Sequence, residues 1–318
     1  MIIFAKKFQD LQLTGYNMRT LEKYFFAPSL LQKILAFCLL PISWIYCLIA
    51  TLKRKMSIQQ DFQIPIISVG NLILGGSGKS PFVAEIAKDY DRSCIILRGY
   101  GRKSKGLKII SQNGNILETP EVAGDEAIML AKLLPNALVI VSKNRTEAIL
   151  RAKEMGAKVI FLDDGFRFNF KKLNILLKPK LEPYFSFCIP SGGYRESKRA
   201  YKEADIIAKE GQDYTRKVEL LYPTQRMLLL TAIANPSRLD SYLPNVVGKI
   251  ILKDHSYFDK TKILESYANL NATSLLVTQK DAVKLEDFGL PLSILHLELH
   301  IAPNIKEKIQ KYVQSYLQ

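Results

Sequence analysis

Residues 64–81 combine an apolar, β-branched run with a glycine-rich turn and the tripeptide Gly78-Lys79-Ser80. Glycine lacks a Cβ, so such a turn can point backbone N–H groups at anionic oxygens. A helix that begins near Lys79 adds the positive end of its dipole. In loops of this type the lysine reaches the β- and γ-phosphates and the next hydroxyl ligates Mg²⁺. We therefore predict a nucleoside triphosphate site at Gly75, Gly76, Ser77, Gly78, Lys79 and Ser80.

The match covers only the second half of the general phosphate-loop pattern. That pattern, Gly-x-x-x-x-Gly-Lys-[Ser/Thr], has a glycine where this chain has Ile73. The alternative is a glycine-rich turn followed by a lysine and a serine that bind nothing. The order strand, loop, helix favours the phosphate loop, because the motif requires that context.

A second candidate feature is acidic: the strand pattern over 158–162 is followed directly by Asp163 and Asp164. In phosphate-loop enzymes a strand of this kind places an acid beside the nucleotide's Mg²⁺. Adjacent residues on an extended chain face opposite ways, so we expect one of the two to meet the metal directly. The sequence leaves open which one, and an acidic turn at a strand end is the alternative.

A basic loop, Arg98-Gly99-Tyr100-Gly101-Arg102-Lys103, follows another strand pattern. Its glycines make it flexible, and its bases suit a phosphate of the acceptor or of the transferred group. We therefore assign substrate contacts to Arg98, Tyr100 and Arg102. The alternative is a solvated basic loop.

Two further residues are candidates for proton transfer. Asp125 follows Gly124 at the start of a helical pattern, where it is either an N-cap or a catalytic carboxylate. His255 follows Asp254 at a strand end. A histidine can take a proton from an attacking hydroxyl at neutral pH when a carboxylate orients it, although an isolated histidine is more often structural.

The elements that must position these residues alternate between strand and helix. Strand patterns lie at 64–69, 94–97, 137–141, 158–162 and 174–177, with helical patterns between them. This rhythm predicts an α/β fold with a doubly wound, mostly parallel sheet, which binds ligands at the carboxyl ends of its strands. A second, smaller βα series begins at Met227. We predict a membrane-associated segment 1–55, a phosphate-loop domain 56–213, a linker 214–226 and a smaller α/β domain 227–318.

The N-terminal segment contains nineteen uncharged residues, 34–52, between Lys33 and the bases of 53–55. As one helix they would extend about 28 Å, close to the hydrocarbon thickness of a bilayer. The bases favour a cytoplasmic location for the chain that follows. The preceding residues 21–31 are amphipathic enough to lie on a membrane surface. A spanning helix, a helix in one leaflet and a buried core helix all remain open.

Composition narrows the class of partner. The net charge of +15 over 318 residues indicates an anionic partner: nucleic acid, a membrane surface or a phosphorylated substrate. The sequence contains no recognisable nucleic-acid-binding module, which favours a membrane or a phosphate-bearing ligand. The four cysteines have neither C-x-x-C nor metal-ligand spacing and are typical of reduced cytoplasmic residues.

Taken in order, these motifs resemble those of the tetraacyldisaccharide 4′-kinases, the lipid A 4′-kinase family. The resemblance covers almost the whole chain and rests on residues 68–71, 75–81, 98–102, 124–126, 162–166, 254–255 and 278–284. It implies a phosphate-loop kinase associated with the cytoplasmic face of the bacterial inner membrane. With ATP and Mg²⁺, it would phosphorylate the 4′-hydroxyl of an acylated glucosamine disaccharide 1-phosphate to give lipid IVA. Neither a nucleic acid nor an obligate protein partner is indicated.

The resemblance also implies residue roles. The family's catalytic Asp–His dyad falls on Asp125 and His255, and its acids near the metal fall on Asp163 and Asp164. Two positions depart from the family pattern. The usual Gln-His after Asp-Asp-Gly-Phe is Arg167-Phe168 here, so no role is carried onto that pair. The family's Gly-Pro-Leu-Arg-Glu segment corresponds only partly to 191–196, where Arg195 is a candidate substrate contact.

Two other functions fit parts of the sequence. One is a membrane-associated NTPase switch without a phosphorylated substrate, which the absence of a guanine-reading motif disfavours. The other is a basic, nucleic-acid-binding ATPase, which the apolar N-terminal run disfavours.

Overall fold

The computed structural model describes residues 22–316. The first 21 residues of the predicted membrane segment, including the start of the amphipathic stretch 21–31, lie outside the described residues. The same holds for residues 317 and 318 of the predicted C-terminal domain.

Eight strands form the first sheet. They are β1 (Ile66–Asn71), β2 (Ser93–Leu97), β3 (Lys108–Gln112), β4 (Asn115–Ile116), β5 (Leu138–Val141), β6 (Val159–Asp163), β7 (Leu173–Lys178) and β8 (Ile206–Lys209). Their order is β4-β3-β5-β2-β6-β1-β7-β8. The strands from β5 to β8 in that order are parallel, whereas β3 and β4 form an antiparallel edge. This confirms the predicted doubly wound sheet.

Helices cover both faces of this sheet. The chain forms α1 (Leu30–Cys38), α2 (Leu40–Lys55), α3 (Lys79–Ala87), α4 (Pro120–Ala123), α5 (Asp125–Leu133), α6 (Arg145–Glu154), α7 (Lys260–Asn269), α8 (Gln279–Ala282) and α9 (Pro303–Gln314). On one face α3, α5 and α9 pack on the sheet, and on the other face α6 does so. All six residues of β1 are buried, as expected for a central strand with both faces covered.

The register of the central strands brings two predicted site segments together. β1 lies between β6 and β7, and Val69 is paired with Asp163. Because both strands are parallel, the loop after β1 and the acids at the end of β6 lie at the same edge of the sheet.

Five strands form the second sheet. They are β9 (Tyr214–Leu221), β10 (Met227–Thr231), β11 (Val246–Ile251), β12 (Ser274–Thr278) and β13 (Leu292–Ile301), in the order β11-β10-β12-β13-β9. The segment predicted as a linker, 214–226, is therefore mostly strand, because β9 pairs antiparallel with β13 from Tyr214 to Leu221. The predicted domain boundaries themselves stay predictions.

The C-terminal end of the described chain packs against the first sheet again. β13 leads into α9, whose Ile305 and Ile309 are buried in the core that also contains residues of β1 and α3. Tyr214 and Ile301, a cross-strand pair of β9 and β13, lie in the same core.

The apolar run 34–52 forms two helices instead of one. α1 and α2 meet at Leu39 with an angle of 56° between them. Among the described residues, only this bent pair taken together has the length and composition to cross a membrane; neither helix does so alone. The buried-core alternative is wrong, because most apolar side chains of both helices are exposed, including Trp44 at 67%.

Polar contacts attach α2 to the segment between β7 and β8. Ser43 donates to Ser191 Oγ at 2.7 Å, and the Tyr46 hydroxyl donates to the Arg195 carbonyl at 3.2 Å. Arg54, one of the three bases expected at a membrane surface, instead pairs with Glu203 and stacks on Phe166.

Phe82 of α3 packs edge-on against Tyr214, with ring centroids 5.4 Å apart, and both are fully buried. We expect Phe82→Ala to lower the free energy of unfolding by about 3–5 kcal/mol, because it leaves a cavity where α3 meets β9. Phe82→Leu is the control and is expected to cost less, since it fills most of that space. Chemical denaturation measures both, and a loss below about 1 kcal/mol for Phe82→Ala would contradict the packing described.

Candidate active site

The predicted phosphate loop lies between β1 and α3. Gly78 occupies the N-cap position of α3 with φ 81°, and Gly75 has φ 96°, a left-handed backbone that glycine adopts without strain. Within the described chain no side chain caps this helix, so its first N–H groups are available to an anion. Lys79 donates to Asn71 Oδ1 at 3.3 Å and therefore lies back across its own loop.

Asp163 faces the first turn of α3. The Ser80 hydroxyl donates to Asp163 Oδ2 at 2.6 Å, and both residues are buried. Burial raises the pKa of Asp163, against the lowering effect of Lys79 and of the Ser80 hydrogen bond. Asp163 and Ser80 thus present a pair of oxygen atoms at the start of α3.

Asp164 lies in different surroundings. It has φ 62° and pairs with Arg195 through two contacts of 3.0 Å. Burial alone would raise its pKa, but the charges of Lys79 and Arg195 lower the pKa of Asp164 to about 2. Arg195 also donates to the Asn71 carbonyl at 2.9 Å. The residue treated from sequence as a substrate contact therefore holds an acid of the site and the end of β1.

The predicted dyad joins a helix on the first sheet to a turn after a strand of the second sheet. His255, from the turn after β11, lies with Nδ1 2.9 Å from Asp125 Oδ1. Asp125 is the first residue of α5, and Gly124 is the N-cap, so the capping role considered from sequence is wrong. A Cβ added to Gly101 would lie 2.9 Å from the His255 Cβ, so this glycine leaves space for the histidine.

Two lysines that sequence analysis did not assign surround the dyad. Lys284 Nζ is 3.5 Å from Asp125 Oδ2, and Lys280 Nζ is 3.8 Å from the same oxygen. Lys280 also contacts Asp254 at 2.8 Å and Glu126 at 3.8 Å. Both lysines belong to the motif 278–284 on which the resemblance rests, and that motif was the signal that could have found them.

Burial and the neighbouring charges shift the pKa values of Asp125 and His255 in opposite directions. Burial would raise the pKa of Asp125, but its hydrogen bond to His255 and the charge of Lys280 lower it overall. Burial lowers the pKa of His255, but the hydrogen bond to Asp125 and the charges of Asp125 and Asp254 together raise it overall. The charge of Lys280 opposes that increase. Burial and the charge of Asp163 raise the pKa of Glu126 to about 7.

A basic cavity of about 240 Å³ lies at the carboxyl ends of the parallel strands of the first sheet. It is lined by Asn71, Arg98, Tyr100, Lys143, Arg145, Asp164, Phe166, Arg167, Phe168, Arg195 and Glu196. Tyr100 stacks on His255 with ring centroids 6.4 Å apart, so it joins the cavity to the dyad. Arg102, grouped with Arg98 and Tyr100 in the sequence, instead donates to the Gly106 carbonyl at 2.7 Å.

Arg145 is a buried arginine that belongs to none of the motifs identified in the sequence. It donates to the carbonyls of Leu97 at 2.6 Å and Asp163 at 3.2 Å, and so joins the carboxyl ends of β2 and β6. Burial lowers the pKa of Arg145 to about 10. By bonding the Asp163 carbonyl, Arg145 holds the backbone that carries this carboxylate.

Comparison with known proteins identifies the group to which this architecture belongs. The model of the family "Tetraacyldisaccharide-1-P 4′-kinase" matches residues 35–318. A curated tetraacyldisaccharide 4′-kinase of Helicobacter pylori is 56% identical over 297 residues, covering 93% of this chain and 95% of the relative. The enzyme of the same name from Aliarcobacter butzleri is 47% identical over 305 residues, covering 93% and 97%.

A solved structure is also similar. LpxK from Aquifex aeolicus, crystallised in complex with ATP, superposes with a TM-score of 0.72 at 28% sequence identity. The match covers 89% of this chain and 100% of that one. The family model, the curated relatives and this structure confirm the resemblance read from the motifs: the chain belongs to the tetraacyldisaccharide-1-P 4′-kinase family.

Proposed function

We propose that this chain transfers the γ-phosphoryl group of ATP to the 4′-hydroxyl of tetraacyldisaccharide 1-phosphate, producing lipid IVA for lipid A biosynthesis. The single observation that carries the proposal is the Asp125–His255 pair, 2.9 Å apart and formed by two domains next to a phosphate loop. Relatives named tetraacyldisaccharide 4′-kinase over more than nine tenths of the chain support the same reaction.

ATP is bound by the loop before α3. The uncapped N–H groups of α3 and the dipole of that helix favour the triphosphate. Lys79 exchanges Asn71 Oδ1 for the phosphate oxygens, because an anionic oxygen is a stronger partner for an ammonium group than a neutral amide. The relative from Aquifex aeolicus was crystallised with ATP, which supports this nucleotide.

The residues beside the loop suit Mg²⁺. Ser80 and Asp163 present hard oxygen atoms 2.6 Å apart, and Mg²⁺ in nucleotide sites is held by a few such ligands together with phosphates. Burial raises the pKa of Asp163, and a bound cation would offset that desolvation. Asp164 is paired with Arg195, so Asp163 is the more direct ligand of the two. When bound, the ion neutralises charge on the phosphate oxygens.

His255 acts as the general base. With Nδ1–H donating to Asp125, the other ring nitrogen, Nε2, is an acceptor. Its nearest carboxylate oxygen, on Asp254, is 3.6 Å away, too far for a good hydrogen bond. Nε2 can therefore take the proton of the sugar hydroxyl, and Asp125 stabilises the imidazolium that results.

The basic cavity holds the acceptor's headgroup. Arg98, Lys143 and Arg167 supply positive charge for a sugar phosphate, and Tyr100 places that headgroup beside His255. Arg102 stays a predicted substrate contact. Its side chain would have to release the Gly106 carbonyl before it could bind the acceptor.

We assign the protein to the cytoplasmic face of the bacterial inner membrane. α1 and α2 expose a broad apolar surface, including Leu31 at 78%, Trp44 at 67% and Leu48 at 59%. An apolar surface of that extent, next to a site for an acylated sugar, suits the acyl chains and the bilayer boundary. The rival NTPase switch finds no support in the relatives, which are named as kinases.

Lys79→Ala should reduce phosphoryl transfer by at least about 100-fold, because it removes the side chain that balances charge on the transferred group. The measurement uses purified protein, γ-labelled ATP and detergent-dispersed acylated disaccharide 1-phosphate, with label counted in the lipid. Lys88→Ala, at an exposed lysine just after α3, is the control. Near-normal transfer by Lys79→Ala would refute the phosphate loop, and labelled free phosphate without labelled lipid would favour the NTPase switch.

Lys280→Gln should move the acid limb of the pH–rate profile to higher pH. His255 accepts a proton only when neutral, and loss of the Lys280 charge lets Asp125 raise the imidazole pKa further. At a pH above that limb, the rate should recover. Lys262→Gln, at a 75% exposed lysine of the same domain, serves as control. An unchanged acid limb, or an equal loss of rate at every pH, would contradict this electrostatic role.

The double substitution Trp44→Glu and Leu48→Glu should weaken binding to anionic phospholipid vesicles by about 10-fold or more, because two exposed apolar side chains can no longer enter the bilayer. Vesicle co-sedimentation measures it. Leu150→Glu changes a comparably exposed leucine, 49%, on α6 and should bind as the unmodified protein does. Equal binding by all three proteins would disprove the membrane assignment of α1 and α2.

A further inference from the structure

Two arginines of the second sheet's domain reach across to the phosphate loop. Arg216, on β9, donates through Nη2 to the Ser77 carbonyl at 3.1 Å. Arg238, from the short 3₁₀ turn Pro236–Leu239 after β10, donates to the Gly76 carbonyl. Both contacts are made to consecutive peptide groups of the loop, and both come from outside the domain that contains it.

The contacts fix the direction of two peptide planes. In a trans peptide the C=O of one residue and the N–H of the next belong to the same planar unit and point opposite ways. Holding the Gly76 carbonyl therefore aims the Ser77 N–H to the other side of the loop. Holding the Ser77 carbonyl does the same for the Gly78 N–H. These are the amides that a phosphate-binding nest uses.

The position of Arg216 is itself tightly specified. Its Nε is 2.5 Å from Glu210 Oε1, and both side chains are mostly buried. A Cβ built on Gly78 would lie 2.7 Å from Arg216 Nη2, so the guanidinium occupies space that any other residue at 78 would need. Gly78 thus serves two purposes, since its φ of 81° also requires glycine.

We propose that Arg216 and Arg238 are positioning residues for ATP: by holding the outer carbonyls of the loop, they preorganise its inner N–H groups for the triphosphate. ATP affinity then depends on the second domain, although that domain does not supply the loop. The inference rests on the proposed use of ATP, and it goes further by assigning part of that affinity to two side chains outside the loop.

The test compares ATP binding by calorimetry, and steady-state kinetics, for Arg216→Gln and Arg238→Gln, singly and together. The double variant should bind ATP at least about 10-fold more weakly, because two charge-assisted hydrogen bonds to the loop are lost. KM for ATP should rise in parallel, whereas KM for the acylated disaccharide should stay within about twofold. Arg216→Lys, which keeps a charged donor, should recover part of the loss.

Arg226→Gln is the matched control. Arg226 also lies in the second domain and donates to two loop carbonyls, those of Asn271 and Leu270, each at 2.8 Å. Its substitution should leave ATP affinity unchanged. If Arg216→Gln does not fold, Glu210→Gln replaces it, since this change loosens Arg216 without removing its donors.

The outcomes separate the inference from the proposed function. Unmodified protein that fails to bind ATP would refute the proposed function. Unmodified protein that binds ATP, together with arginine variants that bind it equally well, would overturn only the positioning role. A matching rise in KM for both substrates would also overturn it, because that result indicates general distortion of the protein.

Discussion

The hydrogen bond between Asp125 and His255 is the contact on which the rest of the structure depends, because one partner lies on a helix of the first sheet and the other follows a strand of the second. A bond of 2.9 Å tolerates little relative movement before it is lost. Lys280 and Lys284 approach the same carboxylate from the second domain, so four charged or titratable groups meet at one boundary. Each lysine is shared among carboxylates, since Lys280 also contacts Asp254 and Glu126 and Lys284 also contacts Asp281, so the two cations offset part of the buried negative charge.

The parts of the site that were readable from sequence are those in which consecutive residues carry the whole signal. The phosphate loop follows β1, and the two acids lie at the end of β6. In both cases the strand pattern that predicts where the residues lie in the fold is next to the residues that bind phosphate or metal. The doubly wound sheet was predictable for the same reason. The dyad was different: Asp125 and His255 are 130 residues apart, and only the resemblance to a family joined them.

Other features depend on tertiary contacts that no local pattern encodes. Arg195 and Asp164 are 31 residues apart, and an arginine in a loop gives no sign of which carboxylate it will meet. The sequence predicts a linker over β9 because an edge strand with one solvated face exposes polar residues at alternate positions, here Thr215, Lys217 and Glu219, and an extended linker is polar as well. The bend at Leu39 follows from a proline in the first turn of α2, which starts a helix readily but cannot continue the hydrogen bonds of α1.

The return of α9 to the first domain has a mechanical consequence. The second sheet is entered through β9 and left through β13, and these two strands are paired side by side. Tyr214 and Ile301, at the end of that pair, are embedded in the core of the first domain together with α9. The second sheet is therefore connected to the first through two adjacent strands, which restrict swivelling more than a single tether would. Any movement of the second sheet relative to the first has to bend this two-stranded ribbon, so the ribbon's stiffness sets how far His255 can move from Asp125.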